Sequence, residues 1–409
     1  MTGIHAADLH VGYDDLRDDC FGLRSIVPAG AKVAIRSTSA LSLAAAVFAL
    51  DGWATQVVLV GHDPREIADA VVLEDAHIEA RAGAGSPVRR LAPADGGHPT
   101  SWTLLTSGTT GTPKEIDHSL SSLSRRVRVR TERAPLRWGL VYEANRMAGT
   151  QVVLQAMAEG APLFDATGFV RTTDKVAWMV EHGVEALSAT PAMWRQILQV
   201  PASSALPLRQ ITLGGEIADQ SVLHALARRY PDARVTHVFA STETGSAFGV
   251  SDGKEGFPLS YLDNPPHGVR LDVRDGILQV YAPGSSAAGD DGFASTGDVV
   301  EIVGDRVLFR GRESGAVNVG GAKVWPEEVE AALRTHPDVA EALVSGRRNP
   351  ISGWILTAAV VPSASADSTS LPSRLRHHCA GILPTTHVPA VIKVVTELAV
   401  TPTGKVTRR

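Results

Sequence analysis

Trp102-Thr103-Leu104-Leu105-Thr106-Ser107-Gly108-Thr109-Thr110-Gly111-Thr112-Pro113-Lys114 is the stretch that decides the fold of this chain. It opens with the apolar and β-branched character of a buried strand and continues into a tight run of hydroxyl residues and glycines, closed by proline and lysine. Backbone N–H groups in such a loop can point at an anion, the hydroxyls can join them, and Lys114 adds a positive charge. The loop reads as a phosphate cradle. It is not a Walker A loop, because its lysine follows proline and precedes Glu115 instead of a serine or threonine.

Outward from this loop, short β-branched runs alternate with alanine-rich helical segments, the pattern of a parallel sheet covered by helices. Lys32–Arg36, Gln56–Val60, Trp102–Leu105, Ile211–Leu213 and Val235–Phe239 are expected strands; Leu41–Leu50 and Ser221–Tyr230 are expected helices. Ligands of open α/β sheets bind beyond the carboxyl ends of the strands, so the loops after Leu105, Leu213 and Phe239 are expected to converge on one crevice. From Leu271 to Ala282 the runs shorten around an Asp275-Gly276 turn, and Val299–Phe309 adds a hairpin around Gly304-Asp305, which marks a β-rich subdomain. Beyond it, Pro326-Glu327-Glu328 opens a helix. Strands at Ala342–Val344, Trp354–Val361 and Val391–Val395, with a helix near Leu371–Gly381, complete a compact α+β unit. The fold expected is therefore α/β: a large domain, residues 1–312, of parallel α/β sheets plus the β-rich subdomain, followed by a small mobile α+β domain, residues 313–409.

Composition narrows the function classes. The 409 residues are 44% hydrophobic and 20% charged, the balance of an ordinary globular chain with more than one packed unit. Formal net charge is -5 with both signs interleaved, so no footprint for nucleic acid is expected, and the basic run Arg125–Arg133 reads as a solvated helix face. Cys20 and Cys379 lack the paired spacing of metal sites or disulfides, which points to a reducing, cytoplasmic setting. Met1–Asp18 has no apolar export core, and Ala40–Leu50 falls short of the ~20 apolar residues of a membrane span. The fourteen histidines show no HExxH pattern, so zinc chemistry is not expected.

The phosphate loop resembles the nucleotide-binding signature of the adenylate-forming superfamily, which contains acyl- and aryl-CoA ligases, peptide-synthetase adenylation domains and firefly luciferase. Four further motifs follow in that family's order: Phe239-Ala240-Ser241-Thr242-Glu243, Ser295-Thr296-Gly297-Asp298, Phe309-Arg310-Gly311-Arg312 continuing to Glu330, and Thr401-Pro402-Thr403-Gly404-Lys405. The resemblance implies ATP, Mg2+ and a carboxylic acid as reactants. Thr106, Ser107, Gly108, Thr109, Thr110, Gly111 and Lys114 would hold phosphates, Thr242 would bond phosphate oxygens, and Glu243 would hold the metal as a hard oxygen ligand. Phe239, with Ala240 and Ser241, offers a flat face to adenine or belongs to the core. Asp298, in a turn after Gly297, would take the ribose diol, with Arg312 supporting it or holding the interdomain linker. Gly214, Gly215 and Glu216 would lie against adenine and the substrate carboxylate, or make a plain strand-to-helix turn. Lys405 would be catalytic, stabilising the charge that builds as carboxylate attacks ATP and pyrophosphate leaves.

The resemblance also implies an acyl pocket at Asn145, Arg146, Met147, Ala148, Gly149 and Thr190, suited to a compact aryl or acyl acid. Gly320-Gly321 would admit a pantetheine arm from CoA or from a separate carrier protein. Ser314 stands at the hinge in place of the family's Asp or Lys, Glu115 and Ala240 stand where glycine is common, and the region before the phosphate loop is short. Phe164-Asp165 matches the amine-binding pair of amino-acid adenylation domains but fits a strand exit equally well. A luciferase-type oxygenase shares this fold as a rival function, whereas Lys114, Glu243, Asp298 and Lys405 together argue against a homologue that only binds nucleotide, and oligomeric state is not legible.

Overall fold

The computed structural model describes residues 2–7, 9–82, 99–106, 114–125, 127–129, 134–240, 247–266, 269–282, 288–349, 353–364 and 366–398. The chain divides into two compact units, Met1–Ser188 with Ala205–Gln210, and Ala189–Ser204 with Ile211–Arg409. The boundary expected near residue 312 falls inside the second unit.

The first unit opens with the hairpin β1 (Gly3–Ala6) and β2 (Leu9–Gly12) and helix α1 (Tyr13–Cys20), elements the sequence reading left unassigned. Next come β3 (Lys32–Arg36), with Val33, Ala34 and Ile35 buried, and α2 (Ala40–Leu50). Helix α2 is apolar all round and is accordingly buried on nearly every side, its start capped by the Ser39 hydroxyl, which accepts the N–H groups of Leu41 and Ser42. β4 (Gln56–Leu59), β5 (Ala70–Glu74), α3 (Asp75–Ala82), β6 (Ser101–Thr106), β7 (Lys114–His118) and α4 (Leu120–Leu123) follow. These strands form one sheet in the order β5-β3-β4-β6-β7, parallel except for β7, which returns antiparallel on β6. β8 (Trp138–Leu140), α5 (Met147–Glu159), β9 (Leu163–Asp165), α6 (Thr172–Glu181) and β10 (Ala186–Ala189) extend the unit. Here β2-β1-β9-β8-β10 lie side by side, with β1 parallel to β9 through Ile4↔Leu163.

The second unit starts with α7 (Pro191–Gln199), followed by β11 (Gln210–Gly214), α8 (Gln220–Arg229), β12 (Arg234–Ala240) and β13 (Ala247–Val250). α8 buries Val222, Leu223 and Leu226 on one stripe. β14 (Phe257–Pro258), β15 (Leu271–Arg274), β16 (Ile277–Tyr281), β17 (Phe293–Val303) and β18 (Arg306–Arg312) make an antiparallel sheet ordered β14-β18-β17-β16-β15. Its Asp275-Gly276 turn has positive φ at both residues, 50° and 73°, the two-residue turn that Asp-Gly favours. Strand β17 begins at Phe293, so Asp298 lies within a strand, which corrects its expected place in a turn. The Ser-Thr-Gly run imitates a turn because Gly297 has φ +69° beside the register shift between Val299 and Val300.

Beyond residue 312 come the hairpin β19 (Val317–Val319) and β20 (Ala322–Val324), α9 (Pro326–Arg334), β21 (Val339–Asn349), β22 (Gly353–Pro362), α10 (Leu371–Ile382) and β23 (Val391–Val394). This segment has its own core, in which Val329, Leu333, Val344, Leu356, Leu371 and Leu375 pack together. β21 is longer than expected because it pairs with β22 from Val339↔Pro362 to Asn349↔Gly353. Among the described residues no helix is long and apolar enough to cross a membrane.

Candidate active site

In the first unit the strands that flank the expected phosphate loop are paired. Thr106 and Lys114 form the last rung between β6 and β7. Ser107, Gly108, Thr109, Thr110 and Gly111 themselves lie outside the described residues. Glu115, the departure from the usual glycine, is half-exposed on the edge strand with its carboxylate 3.6 Å from Arg65. Beside these strands, Arg146 donates through Nη1 to the Leu105 carbonyl at 3.1 Å and through Nε to Glu143 Oε2 at 3.2 Å. Arg146 thus ties the start of α5 to the strand that carries the loop. Glu143 was not singled out in the sequence, although its three-residue spacing from Arg146 was the available signal.

The other pocket residues divide by use. Met147 sits half-buried in the first turn of α5. Gly149 is required for packing, since a Cβ there would lie 2.1 Å from the Glu143 carbonyl oxygen. Asn145 is 3% exposed, and neither its amide nitrogen nor its oxygen has a partner among the described residues. Asp165 is committed elsewhere: its carboxylate accepts the Ala40 N–H at 3.1 Å, the Thr167 N–H at 2.9 Å and the Thr167 hydroxyl at 2.5 Å. It fastens the first turn of α2 to the end of β9. Burial raises its carboxyl pKa from the ordinary range, opposed by those donors. That arrangement favours the strand-exit reading of Phe164-Asp165 over the amine-binding one.

In the second unit β11 and β12 are neighbours, and Gly214 faces the Val238 carbonyl at 3.9 Å from a would-be Cβ. Gly215 takes φ +83°, a turn that favours glycine. Glu216 Oε2 accepts the Ala192 N–H at 3.0 Å while Thr190 Oγ1 accepts that of Met193 at 3.1 Å. Both residues therefore meet at the start of α7, whose N–H groups they satisfy. Phe239 is half-buried with ring centroids 5.3 Å from Phe248 and 5.6 Å from Phe309, the latter nearly parallel at 7°. These contacts favour its core role over an open face for adenine. Ala240 pairs with Ala247 across β12 and β13. Ser241, Thr242 and Glu243, the expected phosphate and metal ligands, lie outside the described residues, as does Lys405.

Asp298 and Arg312 face each other across the β17–β18 pairing, with Arg312 Nε 2.9 Å from Asp298 Oδ1. The carboxylate is mostly covered and the guanidinium largely exposed, at 14% and 60%. Acceptor oxygens braced by a cation, at a glycine-marked bulge, fit a vicinal diol such as ribose. Ser314 is exposed in the short turn Glu313–Gly315 that leaves β18. Gly320 and Gly321 have φ +58° and +91° between the paired Val319 and Ala322, a two-residue turn in which both positions need the left-handed region. The Asn318 side chain accepts the Gly321 N–H at 3.0 Å.

The pattern that defines the AMP-binding enzyme family matches residues 27–285, and that of the AMP-binding enzyme C-terminal domain matches residues 328–405. Among curated proteins, surfactin synthase subunit 1 of Bacillus subtilis is 26% identical over 366 residues, covering 76% of this chain and 10% of that protein. The 2-succinylbenzoate–CoA ligase of Bacillus velezensis is 29% identical over 311 residues, covering 69% of this chain and 63% of that protein. The chain thus spans less than two thirds of the length of either. Among solved structures, the anthranilate CoA ligase AuaEII in complex with anthranoyl-AMP superposes with a TM-score of 0.78 at 17% identity, over 99% of this chain and 92% of that one. That likeness concerns the fold.

Proposed function

The chain belongs to the AMP-binding enzyme family, and from that premise we propose that it converts a carboxylic acid into its acyl-adenylate with ATP and then passes the acyl group to the thiol of CoA. In the first step a carboxylate oxygen attacks the α-phosphorus and the bond to pyrophosphate breaks. In the second, the thiolate sulfur adds to the acyl carbon and AMP leaves with the bonding electrons. The observation that carries this function is the Asp298–Arg312 pair, a carboxylate and a cation positioned opposite each other on paired strands. Lys114 at the stem of the phosphate loop and Gly215 after β11 support it. Residues 1–312 would form the core and residues 313–409 a domain that turns about Ser314. Magnesium, when bound, would offset phosphate charge, and Glu243 is the carboxylate proposed to hold it.

A compact aryl acid is the substrate class best supported. Two proteins with this family's likeness bear the names 2-succinylbenzoate–CoA ligase and anthranilate CoA ligase, and Asp165 is occupied as a helix tie instead of standing ready for an amine. The likeness to part of surfactin synthase subunit 1 keeps a second acceptor in view, the phosphopantetheine thiol of a carrier protein.

The test is pyrophosphate release on mixing the protein with ATP, magnesium and a panel of aryl and acyl acids, followed by mass analysis with CoA or a loaded carrier added. Lys405→Ala should slow adenylate formation by ~10²- to 10³-fold, because the cation is needed only as negative charge gathers at phosphorus. Transfer from a supplied acyl-adenylate should stay within a few-fold. Adenylation at the parent rate in that variant would remove Lys405 from the reaction.

A further inference from the structure

Four charged side chains, far apart in the sequence, meet inside the second unit. Arg195, on α7, reaches Asp219 Oδ2 through Nη2 at 2.6 Å and Glu341 Oε2 through Nη1 at 3.4 Å. Arg334, in the last turn of α9, reaches the same Asp219 oxygen through Nε at 2.8 Å and Glu341 Oε1 through Nη1 at 3.2 Å. Each arginine therefore touches both carboxylates, and the four close a ring. All four side chains are 7–9% exposed.

The remaining polar capacity is largely used. Asp219 Oδ1 accepts the Ser221 hydroxyl at 2.6 Å and the Val222 N–H at 3.0 Å, and so caps α8. Arg334 Nη1 donates to the Ala342 carbonyl at 3.1 Å. Glu330, one turn earlier on α9, lies 3.8 Å from Arg334 and accepts the Val344 N–H at 2.9 Å. Burial alone would raise the Asp219 pKa, yet Arg334 and Arg195 hold it well below the usual carboxylate range. Burial likewise works against the charge of Arg334, and Asp219, Glu341 and Glu330 outweigh it.

Two members of the ring, Arg195 and Asp219, belong to the α7–α8 region; the other two lie beyond residue 312. The opposite end of α9 is also seated closely. Gly311 on β18 leaves room for it, since a Cβ there would fall 2.7 Å from Glu327 Oε2 and 2.9 Å from Trp325 Cδ1. The tip of the β19–β20 hairpin contrasts with this: Gly320 and Gly321 are exposed, and nothing lies within 4 Å of a would-be Cβ on either.

A buried ion cluster behaves differently from a surface pair. Exposed pairs contribute little, whereas buried charges are stable only when every partner is in place, and stranding one is costly. Such a cluster favours a fully seated element or a fully solvated one and disfavours positions between. That is a suitable lock for an element with two working positions.

We infer that Arg195, Asp219, Arg334 and Glu341 form a charge latch that seats the segment beyond residue 312 on α7 and α8 in the arrangement used for adenylate formation, and that this latch opens before thiol transfer. It rests on the two-step reaction proposed above, and its four members are positioning residues that touch no reactant. The exposed hairpin tip assigns the latched state to the first step, because the transfer step calls for Gly320-Gly321 against the pantetheine arm.

The experiment compares Arg334→Met and Glu341→Gln with the parent, full chain in each case. Both half-reactions are timed separately, and amide hydrogen exchange is followed over 191–229 and 326–334. Glu341→Gln keeps the size of the side chain and decides the matter if Arg334→Met does not fold. The expected result is adenylation slowed about tenfold or more, transfer from supplied acyl-adenylate unchanged or faster, and quicker exchange over 326–334 with 191–229 still protected. An unchanged ratio of the two half-reactions overturns the latch, as does an equal loss in both with exchange raised throughout. If the parent releases no pyrophosphate with any acid, the proposed reaction fails on its own account. Exchange then judges the contact alone, and unaltered protection over 326–334 overturns it.

Discussion

A carboxylate proposed to read a diol stands on β17 at Asp298, 14% exposed, with Arg312 Nε 2.9 Å from its Oδ1. Asp298→Ala should weaken ATP binding by ~1.5 to 3 kcal/mol, the range for hydrogen bonds to a charged group, as read by calorimetry. Unaltered affinity would take the residue out of the site. Asp165 shows what a reading of neighbouring residues cannot reach. Asp298 is named by the residues beside it, whereas the function of Asp165 depends on an N–H donated by Ala40, 125 positions away. Nothing in Phe164-Asp165 itself announces that partner.

At the scale of elements, the strands richest in β-branched residues were read within a residue or so. β3 is Lys32–Arg36 as expected, and β12 exceeds its expected span by one residue at each end. Short strands such as β8 and β9, three residues each, carry too little pattern to separate from loop, and the pairing that defines them comes from distant strands, β10 beside β8 and β1 beside β9. The Gly320-Gly321 turn, read from resemblance as a path for pantetheine, has a backbone reason as well. Both residues need positive φ, so Gly321→Val should cost roughly 1 to 2 kcal/mol of stability in urea unfolding. With the tip in open space, that cost should come from the backbone alone. A variant as stable as the parent would show that the hairpin can adopt another turn.

Across the whole molecule, burial sets how stability responds to acid. His118 and His237 are both held neutral by burial, with pKa values lowered from the ordinary histidine range. The unfolded chain takes up protons below about pH 6.5 that these folded side chains resist, so stability present above that pH declines as pH falls through it. Asp219 acts in the same direction lower down: its depressed folded pKa gives stability above the unfolded value of about 3.9 that is lost as pH drops further. Urea midpoints should therefore be lower at about pH 5.5 than at about pH 7.5, with part of the difference removed in His118→Gln. A flat profile over that interval would mean the rings are solvated. The architecture was legible from alternation and motif order, because both are written along the chain. The meeting of Arg195 and Asp219 with Arg334 and Glu341 was not, because no local pattern records which distant charges will share an interior.

β7 ends its sheet in the order of described strands, so one side of its backbone is left without a neighbouring strand. Such a margin is a template on which another chain can crystallise its own strand, the first step toward fibrous aggregates. Here the margin is written in charge: Lys114, Glu115 and Asp117 are all exposed along five residues. A second copy adding there would have to strip water from each of them. Lys114, proposed above as a phosphate ligand, therefore has a second consequence, which is to help keep a sheet whose central strands are strongly apolar from joining its neighbours in a crowded solution.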